Sequence, residues 1–388
     1  MIILVVGNGF DLAHQLPTKY RHFLEFIRIY KGEQCVVCND ENDLHHKIQR
    51  FVNELKSRHD KCALEAKEII EAHNRLLDHF LDVYINRCDR GKEGWIDFES
   101  EISDIIKLFD RAYTYIRERE SNGQDITLPE SLYFKIAPFL FANKEYRKDK
   151  RYEFQLGVIL EQADNLLLEL NDITRLFEIY LTEFVEKMET ELRIPEIYIR
   201  CKKADAVLSF NYTDTYRRLY RGSEMTDCCF IHGKAKKESD RKNSNLILGI
   251  DEYLDVDRRN NDNQFIRFKK FYQRINKETD SQYIDWLDAD IAENKMRKEK
   301  MPLYIYFYGH SLDVTDKDIL QKLIMHENAI VNIFYHRKDE MGKQIINLTK
   351  IIGEDNLIQM TRGSKRRINF LQASSARSEL MIKVLKNN

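Results

Sequence analysis

The spacing of apolar and polar positions changes twice along the chain. Ile2 to Val6 is an unbroken apolar run rich in β-branched residues, followed at once by Gly7-Asn8-Gly9. A run with no polar alternation predicts a strand buried on both faces and ending in a tight turn. From about residue 20 to residue 200 glycine is scarce and apolar residues recur at steps of three and four. The clearest stretch, 152–192, carries Leu156, Ile159, Leu160, Ala163, Leu166 and Leu167 and keeps that register to Leu192. It predicts an amphipathic helix or a broken pair of helices, stopped by Pro195. The opposite face is acidic, with Glu161, Asp164, Glu169, Asp172, Glu178 and Glu183, and reads as a solvated surface.

Beyond residue 200 the period shortens again. Residues 204–210, 228–231, 245–250, 303–308 and 330–335 are short apolar or β-branched runs. The first four lead into Asn211-Tyr212-Thr213, His232-Gly233, Asp251 and Gly309-His310-Ser311. Buried strands with polar groups just past their C-terminal ends are the pattern of a parallel α/β sheet, which binds ligands along that edge. The expected fold class is therefore α/β: a parallel-sheet, nucleotide-binding, Rossmann-type domain with a large α-helical insertion. The α/β domain is discontinuous, residues 1–30 plus 200–388, and the helical insertion is 31–199.

Composition narrows the function classes. The chain has 388 residues, 43% hydrophobic and 32% charged, enough apolar share for a core. With 62 basic and 64 acidic residues the net charge is -2, so global charge predicts neither a nucleic-acid coat nor a membrane-surface protein. No segment approaches the roughly 20 apolar residues of a membrane helix, and the first apolar run is too short for a secretory core. The expectation is a cytoplasmic protein with no membrane partner. Seven cysteines, an odd number spread over the chain, fit reduced thiols. Cys35 and Cys38 have C-x-x-C spacing, and His45-His46 could complete a zinc site; ordinary thiols are the main reading, and no metal is expected.

Several segments carry candidate chemistry. Gly7-Asn8-Gly9-Phe10-Asp11 stands at a strand-to-helix turn, where free amides and the positive end of a helix dipole can hold a phosphate; the alternative is a tight turn with no ligand. Asn211 follows a strand and can hydrogen-bond a ribose hydroxyl or hold a water, or serve as a turn residue. His232 stands at a strand end before Gly233, as a candidate general base or a structural histidine. Gly309, His310 and Ser311 could line a cleft, but Ser311 lacks the second glycine of a nucleophile elbow. Asp313 and Asp316 read as helix caps, and Glu99 as a solvated carboxylate or one facing a cleft. The basic clusters at 295–300 and 362–367 read as solvated surface.

Together these motifs resemble the AbiH family of bacterial phage abortive-infection proteins. The resemblance is carried by Gly7-Asn8-Gly9-Phe10-Asp11-Leu12-Ala13-His14 with Leu16-Pro17-Thr18, Trp95-x-Asp97-x-Glu99, Ser209-Phe210-Asn211-Tyr212-Thr213, Ile231-His232-Gly233 and Gly309-His310-Ser311-Leu312-Asp313. It implies antiviral defence. A more distant likeness is to sirtuin-like NAD-binding domains, whose motifs fall in the same order as Gly7, Gly9, Leu16-Pro17, Asn211-Tyr212, His232-Gly233 and Gly309 to Ser311. It implies that Asn211 orients water or ribose, that His232 is the catalytic histidine, and that Gly7, Asn8, Gly9, Phe10, Asp11, Tyr212, Gly233, Gly309, His310 and Ser311 contact the nucleotide. Asn8 replaces an alanine and Thr213 an aspartate of that pattern, and the zinc-binding cysteine pairs of sirtuins are missing, which points away from protein deacylation.

The expected function is an antiviral effector, an NAD glycohydrolase-like hydrolase that cleaves the N-glycosidic bond of NAD or a related nucleotide, with NAD as substrate. The alternatives are a nuclease or other nucleic-acid-directed toxin using the same cleft, and a non-catalytic sensor of a nucleotide or phage protein. Candidate partners are a nucleotide, a phage-derived trigger and a second copy of the chain; nucleic acid stays open.

Overall fold

The computed structural model describes residues 1–33, 42–89, 96–124, 126–141, 155–188, 204–220, 226–251, 254, 258, 262–364 and 366–373. Cys35, Cys38, Trp95 and Pro195 lie outside the described residues. The described chain divides into two compact units: Met1–Thr18, Val185–Ala235 and Glu278–Asn388 form one, and Lys19–Phe184 with Lys236–Lys277 form the other.

The first unit carries six strands: β1 (Ile2–Val6), β2 (Ala206–Ser209), β3 (Asp227–Phe230), β4 (Leu303–Tyr308), β5 (Ala329–Tyr335) and β6 (Ile368–Gln372). All are parallel, in the order β3-β2-β1-β4-β5-β6. The period of two explains the unbroken apolar runs. Ile3, Val5, Ala206 and Leu208 enter one core, with Leu320, Leu348 and Leu357 from three covering helices. Leu4, Val6 and Val207 enter the other, with Phe10, Tyr216 and Tyr220. Alternate side chains face opposite ways and both faces of β1 are covered, so Ile3, Leu4, Val5 and Val6 are all apolar. Each fully buried aliphatic side chain contributes about 1.5–3 kcal/mol.

Register fixes the edge where chemistry can occur. Val6 pairs with Ser209 and Tyr308, and Ser209 pairs with Phe230. The residues just beyond these positions in β1, β2, β3 and β4 therefore emerge side by side. The order also reverses direction between β1 and β4, which makes that gap the switch point of the sheet.

Residues 245–250 do not join this sheet. They lie in the second unit, where Ile250 bridges Lys269 and Gly249 presses on the Phe268 carbonyl so closely that a Cβ would stand 2.7 Å away. Leu246, Ile247 and Leu248 are buried there. An apolar run announces burial, not a strand partner. Strand β6 is missed by the sequence pattern because its outer residues are only partly buried.

The second unit is helical: α2 (Tyr20–Lys31), α3 (Asn42–Ser57), α4 (Lys61–Glu71), α5 (Arg75–Asp89), α6 (Phe98–Ser121), α7 (Glu130–Leu140) and α8 (Leu156–Tyr180) follow α1 (Asn8–Ala13) of the first unit. Phe98 lies flat between Tyr20 and Phe80, each 4.2 Å away by ring centroid. The predicted stripe is one 25-residue helix that runs into a π-helical turn at Leu181–Val185. Its acidic face is solvated at the start of the helix, where Glu161 and Asp164 are exposed, but not towards its end. Glu178 and Glu183 are buried, Arg175 donates to Glu178 (2.9 Å), Arg58 to Glu183 (2.7 Å) and Arg75 to Glu169 (2.6 Å). Burial of carboxylates is tolerated because each has a guanidinium partner. Among the described residues no helix is long and apolar enough to cross a membrane.

Candidate functional site

The turn after β1 is built by close backbone contact. The Gly7 amide donates to the Tyr308 carbonyl (3.1 Å), the Gly9 amide to the Gly309 carbonyl (2.8 Å) and the Phe10 amide to the Gly7 carbonyl (2.8 Å). A Cβ on Gly7 would stand 2.7 Å from the Gly309 oxygen, and one on Gly9 2.6 Å from the Gly309 Cα. Gly309 itself has φ +65° and faces the Phe10 amide. The glycines thus let the β1 turn and the β4 loop touch across the switch point. In the structure the amides of Gly7, Gly9 and Phe10, expected to cradle a phosphate, donate to carbonyls, and the Phe10 ring is fully buried in the core. Asn8 is exposed, and its Oδ1 accepts from Thr18 Oγ1 (2.5 Å), which ties the Leu16-Pro17-Thr18 segment to the turn.

Asp11 is also not at the surface. It is 1% exposed; Thr213 Oγ1 donates to its Oδ2 (2.5 Å), Thr215 Oγ1 donates onward to Thr213 Oγ1 (3.0 Å), and its Oδ1 has no hydrogen-bond partner. Burial outweighs these hydrogen bonds and pushes the carboxyl up to about 6. A cavity of about 10 Å³, room for about one water, adjoins it. His14 is buried one turn on: its Nδ1 donates to the Phe10 carbonyl (2.7 Å) and its Nε2 accepts from Tyr220 Oη (3.2 Å), so the Asp11-to-His14 part of the motif ties α1 into the core.

Asn211, just past β2, donates from Nδ2 to the Gly7 carbonyl (3.0 Å), while its amide donates to Ser209 Oγ (3.1 Å). His232, just past β3, is 4% exposed and donates from Nε2 to Asp316 Oδ1 (3.0 Å). Gly233 takes φ +81° and turns the chain away, with its amide on the Phe230 carbonyl (3.0 Å). Beyond β4, His310 Nδ1 accepts from the Leu312 amide (2.9 Å), and Leu312 holds φ +56°, unusual for a branched residue. The Phe210 ring stands edge-on to both imidazoles, 5.4 Å from His232 and 4.3 Å from His310 by centroid. The Tyr212 ring is 6.4 Å from His232. Ser311 is exposed, and its carbonyl accepts from Asn347.

The structure thus brings Asn211, Tyr212, His232, Gly233 and His310 to one edge and adds Asp316. Asp316 read as a helix cap in the sequence; its side chain makes no cap hydrogen bond, whereas Asp313 does cap, accepting from the Thr315 amide (3.0 Å). A His at one strand end and an Asp 84 residues later give no local signal of pairing. Glu99 belongs to the helical unit, where Lys270 Nζ meets its Oε2 at 2.8 Å, and Asp97 caps α6 through the Glu99 and Ser100 amides. A larger cavity of about 570 Å³ also belongs to the helical unit, among residues of α5, α6 and α7. Burial pushes the Cys228 and Cys229 thiols up to about 11 and about 12, which makes them poor nucleophiles at neutral pH. Among the described residues no group of three or more His, Cys, Asp or Glu side chains could hold a metal.

The family model described as bacteriophage abortive infection AbiH matches residues 3–336, which takes in β1 through β5 and every residue of this edge. The chain belongs to the AbiH family. Phage abortive infection is accordingly the family role of this AbiH protein. Comparison with curated proteins and with solved structures returns no match.

Proposed function

We propose that this AbiH protein acts in the cytoplasm of the infected cell by hydrolysing the N-glycosidic bond of NAD or a related nucleotide. The single observation behind this reading is the convergence of Asn211 and the His232–Asp316 pair at neighbouring C-terminal strand ends. The strand order is also that of dinucleotide-binding sheets. Glycosidic cleavage passes through an oxocarbenium-like ribose and asks little of the protein beyond a base and orientation. His232, oriented by its contact with Asp316, would accept the proton of an attacking water, worth about 10²–10⁴-fold. Asn211, fixed to the Gly7 carbonyl, would orient the water or a ribose hydroxyl. The fit to NAD is selective. The carboxylate, amide and imidazole groups suit a ribose and its water, whereas the β1 turn amides are bonded elsewhere and would not hold the pyrophosphate.

The test is incubation of pure protein with NAD, with free nicotinamide and ADP-ribose separated by chromatography. Equimolar release that is lost in His232→Ala and Asn211→Ala supports the reading. Wild-type turnover by His232→Ala overturns the catalytic assignment. Cutting of RNA or DNA that vanishes in the same variants, without NAD loss, would move the substrate to nucleic acid and keep the site.

A further inference from the structure

Two buried carboxylate oxygens with no hydrogen-bond partner belong to residues that line one small cavity. They are Asp11 Oδ1 and Asp214 Oδ1, and the cavity of about 10 Å³ also touches Ser209, Asn211, Thr213 and Cys228. Asp11 is 1% exposed. A buried acceptor left without a donor is costly, and a charged one more so. The nearby hydroxyls are engaged elsewhere. Thr213 Oγ1 donates to the other oxygen of Asp11 (2.5 Å), Thr215 Oγ1 to Thr213 Oγ1 (3.0 Å) and Ser209 Oγ to the Asn211 carbonyl (3.1 Å). Asn211 Nδ2 donates one N–H to the Gly7 carbonyl (3.0 Å), and a carboxamide has a second to give.

We propose that this cavity binds one water molecule, which donates to Asp11 Oδ1 and Asp214 Oδ1 and accepts from Asn211 Nδ2, and that Asp11 acts through it as a positioning residue for Asn211. Size and charge both favour water. A cavity with room for one water-sized guest excludes a hydrated divalent ion, which keeps several waters of its own. The carboxylates of Asp11, Asp214 and Glu186 are matched by three cations. Lys234 Nζ donates to Asp214 Oδ2 (2.5 Å), the charge of Arg218 bears on Asp11 and Glu186, and Arg217 faces the Cys228 thiol. Three against three leaves no charge for a bare ion to balance. A neutral guest with two protons to give and a lone pair to receive a third meets all three groups.

The consequence falls on Asn211. With one N–H on the Gly7 carbonyl and the other on the water, its carboxamide is fixed and offers a substrate only the acceptor Oδ1. Asn211 would then receive a hydroxyl or water proton, and it would not bind a phosphate oxygen, which also only accepts. The water site stands apart from the N-glycosidic reading; only its effect on turnover rests on that reading.

Two measurements test this. The first is a high-resolution crystal structure of the full-length protein, from crystals grown in sodium chloride and from others soaked in thallium acetate. One ordered water within about 3.2 Å of Asp11, Asp214 and Asn211 is expected, with no anomalous signal there after the soak. A dry cavity would overturn the proposal, and so would a thallium peak, which would mean a monovalent cation. The second is hydrogen exchange of the Asn211 side-chain amide, assigned by its loss in Asn211→Asp. Both amide protons should be protected in wild type. Asp11→Leu, which removes the acceptor at similar size, should speed the exchange of one of them at least about 10-fold. Equal exchange in a folded Asp11→Leu protein would overturn the positioning role, and one freely exchanging wild-type proton would overturn it even if that variant does not fold. Asp11→Leu should also lower kcat for NAD about 10²-fold with KM changed less than about threefold, and Asp11→Asn, which keeps an acceptor oxygen, should recover most of that loss. Wild-type kcat in a folded Asp11→Leu protein would contradict the positioning role. No NAD turnover by wild type would defeat the N-glycosidic reading, while the crystal and exchange results would still decide the water site.

Discussion

Asp11 shows how a residue that reads as a ligand contact can belong to the frame behind the site. Its carboxyl is buried, accepts from Thr213, and is pushed from 3.8 up to about 6 mainly by burial. The folded state thus binds the proton more tightly than the unfolded chain. Stability from this group is greatest below about pH 4, is lost as pH rises from about 4 to 6, and stays lost above, at a cost of about 3 kcal/mol. Asp11→Asn removes that charge at the same size. The difference in urea-unfolding free energy between variant and wild type should move in favour of the variant by about 2 kcal/mol from pH 4.5 to pH 7.5. A difference flat with pH would show that Asp11 is solvated in the native state. The sequence pattern placed Asp11 next to the turn correctly but could not show its depth, because burial here comes from Thr213 and Thr215, about 200 residues away in the chain.

At the level of elements, the decisive contact is between the β1 turn and the β4 loop. The Gly7 and Gly9 pattern was legible as a tight turn after a strand; its purpose was not, because the partner is Gly309, three hundred residues on. A glycine pair invites a phosphate or another backbone, and the sequence does not distinguish the two. Gly9→Ala should therefore destabilise the fold, on the order of 2–4 kcal/mol, since its Cβ would meet backbone rather than a movable side chain. Gly342→Ala is the control: this helical glycine has nothing within 4 Å of the added Cβ, and the change should stabilise by up to about 1 kcal/mol. Thermal melts of the two variants would check the pair, and equal effects would contradict the packing account. Glu99 follows the same logic. Asp97 caps its helix from two residues away, whereas Lys270, the partner of Glu99, lies far along the chain, outside every run the apolar pattern assigned to a strand.

At the scale of the whole molecule, the strand pattern, the helical block and the family were all legible, because each rests on local periodicity or on short motifs. Four of the five apolar runs after the helical block or at its end entered the sheet, with their polar tails on one edge. What stayed hidden were pairings set only by folding: Asp316 on His232, the amide of Leu312 on His310, and the guanidinium partners of the acidic helix face. These pairings join motifs far apart in the chain at one edge of the sheet. The central claim is our proposal that His232 serves there as the base that destroys NAD when phage infects. The most direct measurement is NAD content, followed through infection, in cells carrying wild-type protein, His232→Ala or Asn211→Ala, with soluble protein levels matched. The account expects NAD to collapse and phage yield to fall only with wild type, and the double variant to be hardly worse than either single, since both residues serve one step. Undiminished NAD in protected wild-type cells, or NAD loss that persists in His232→Ala, would contradict it.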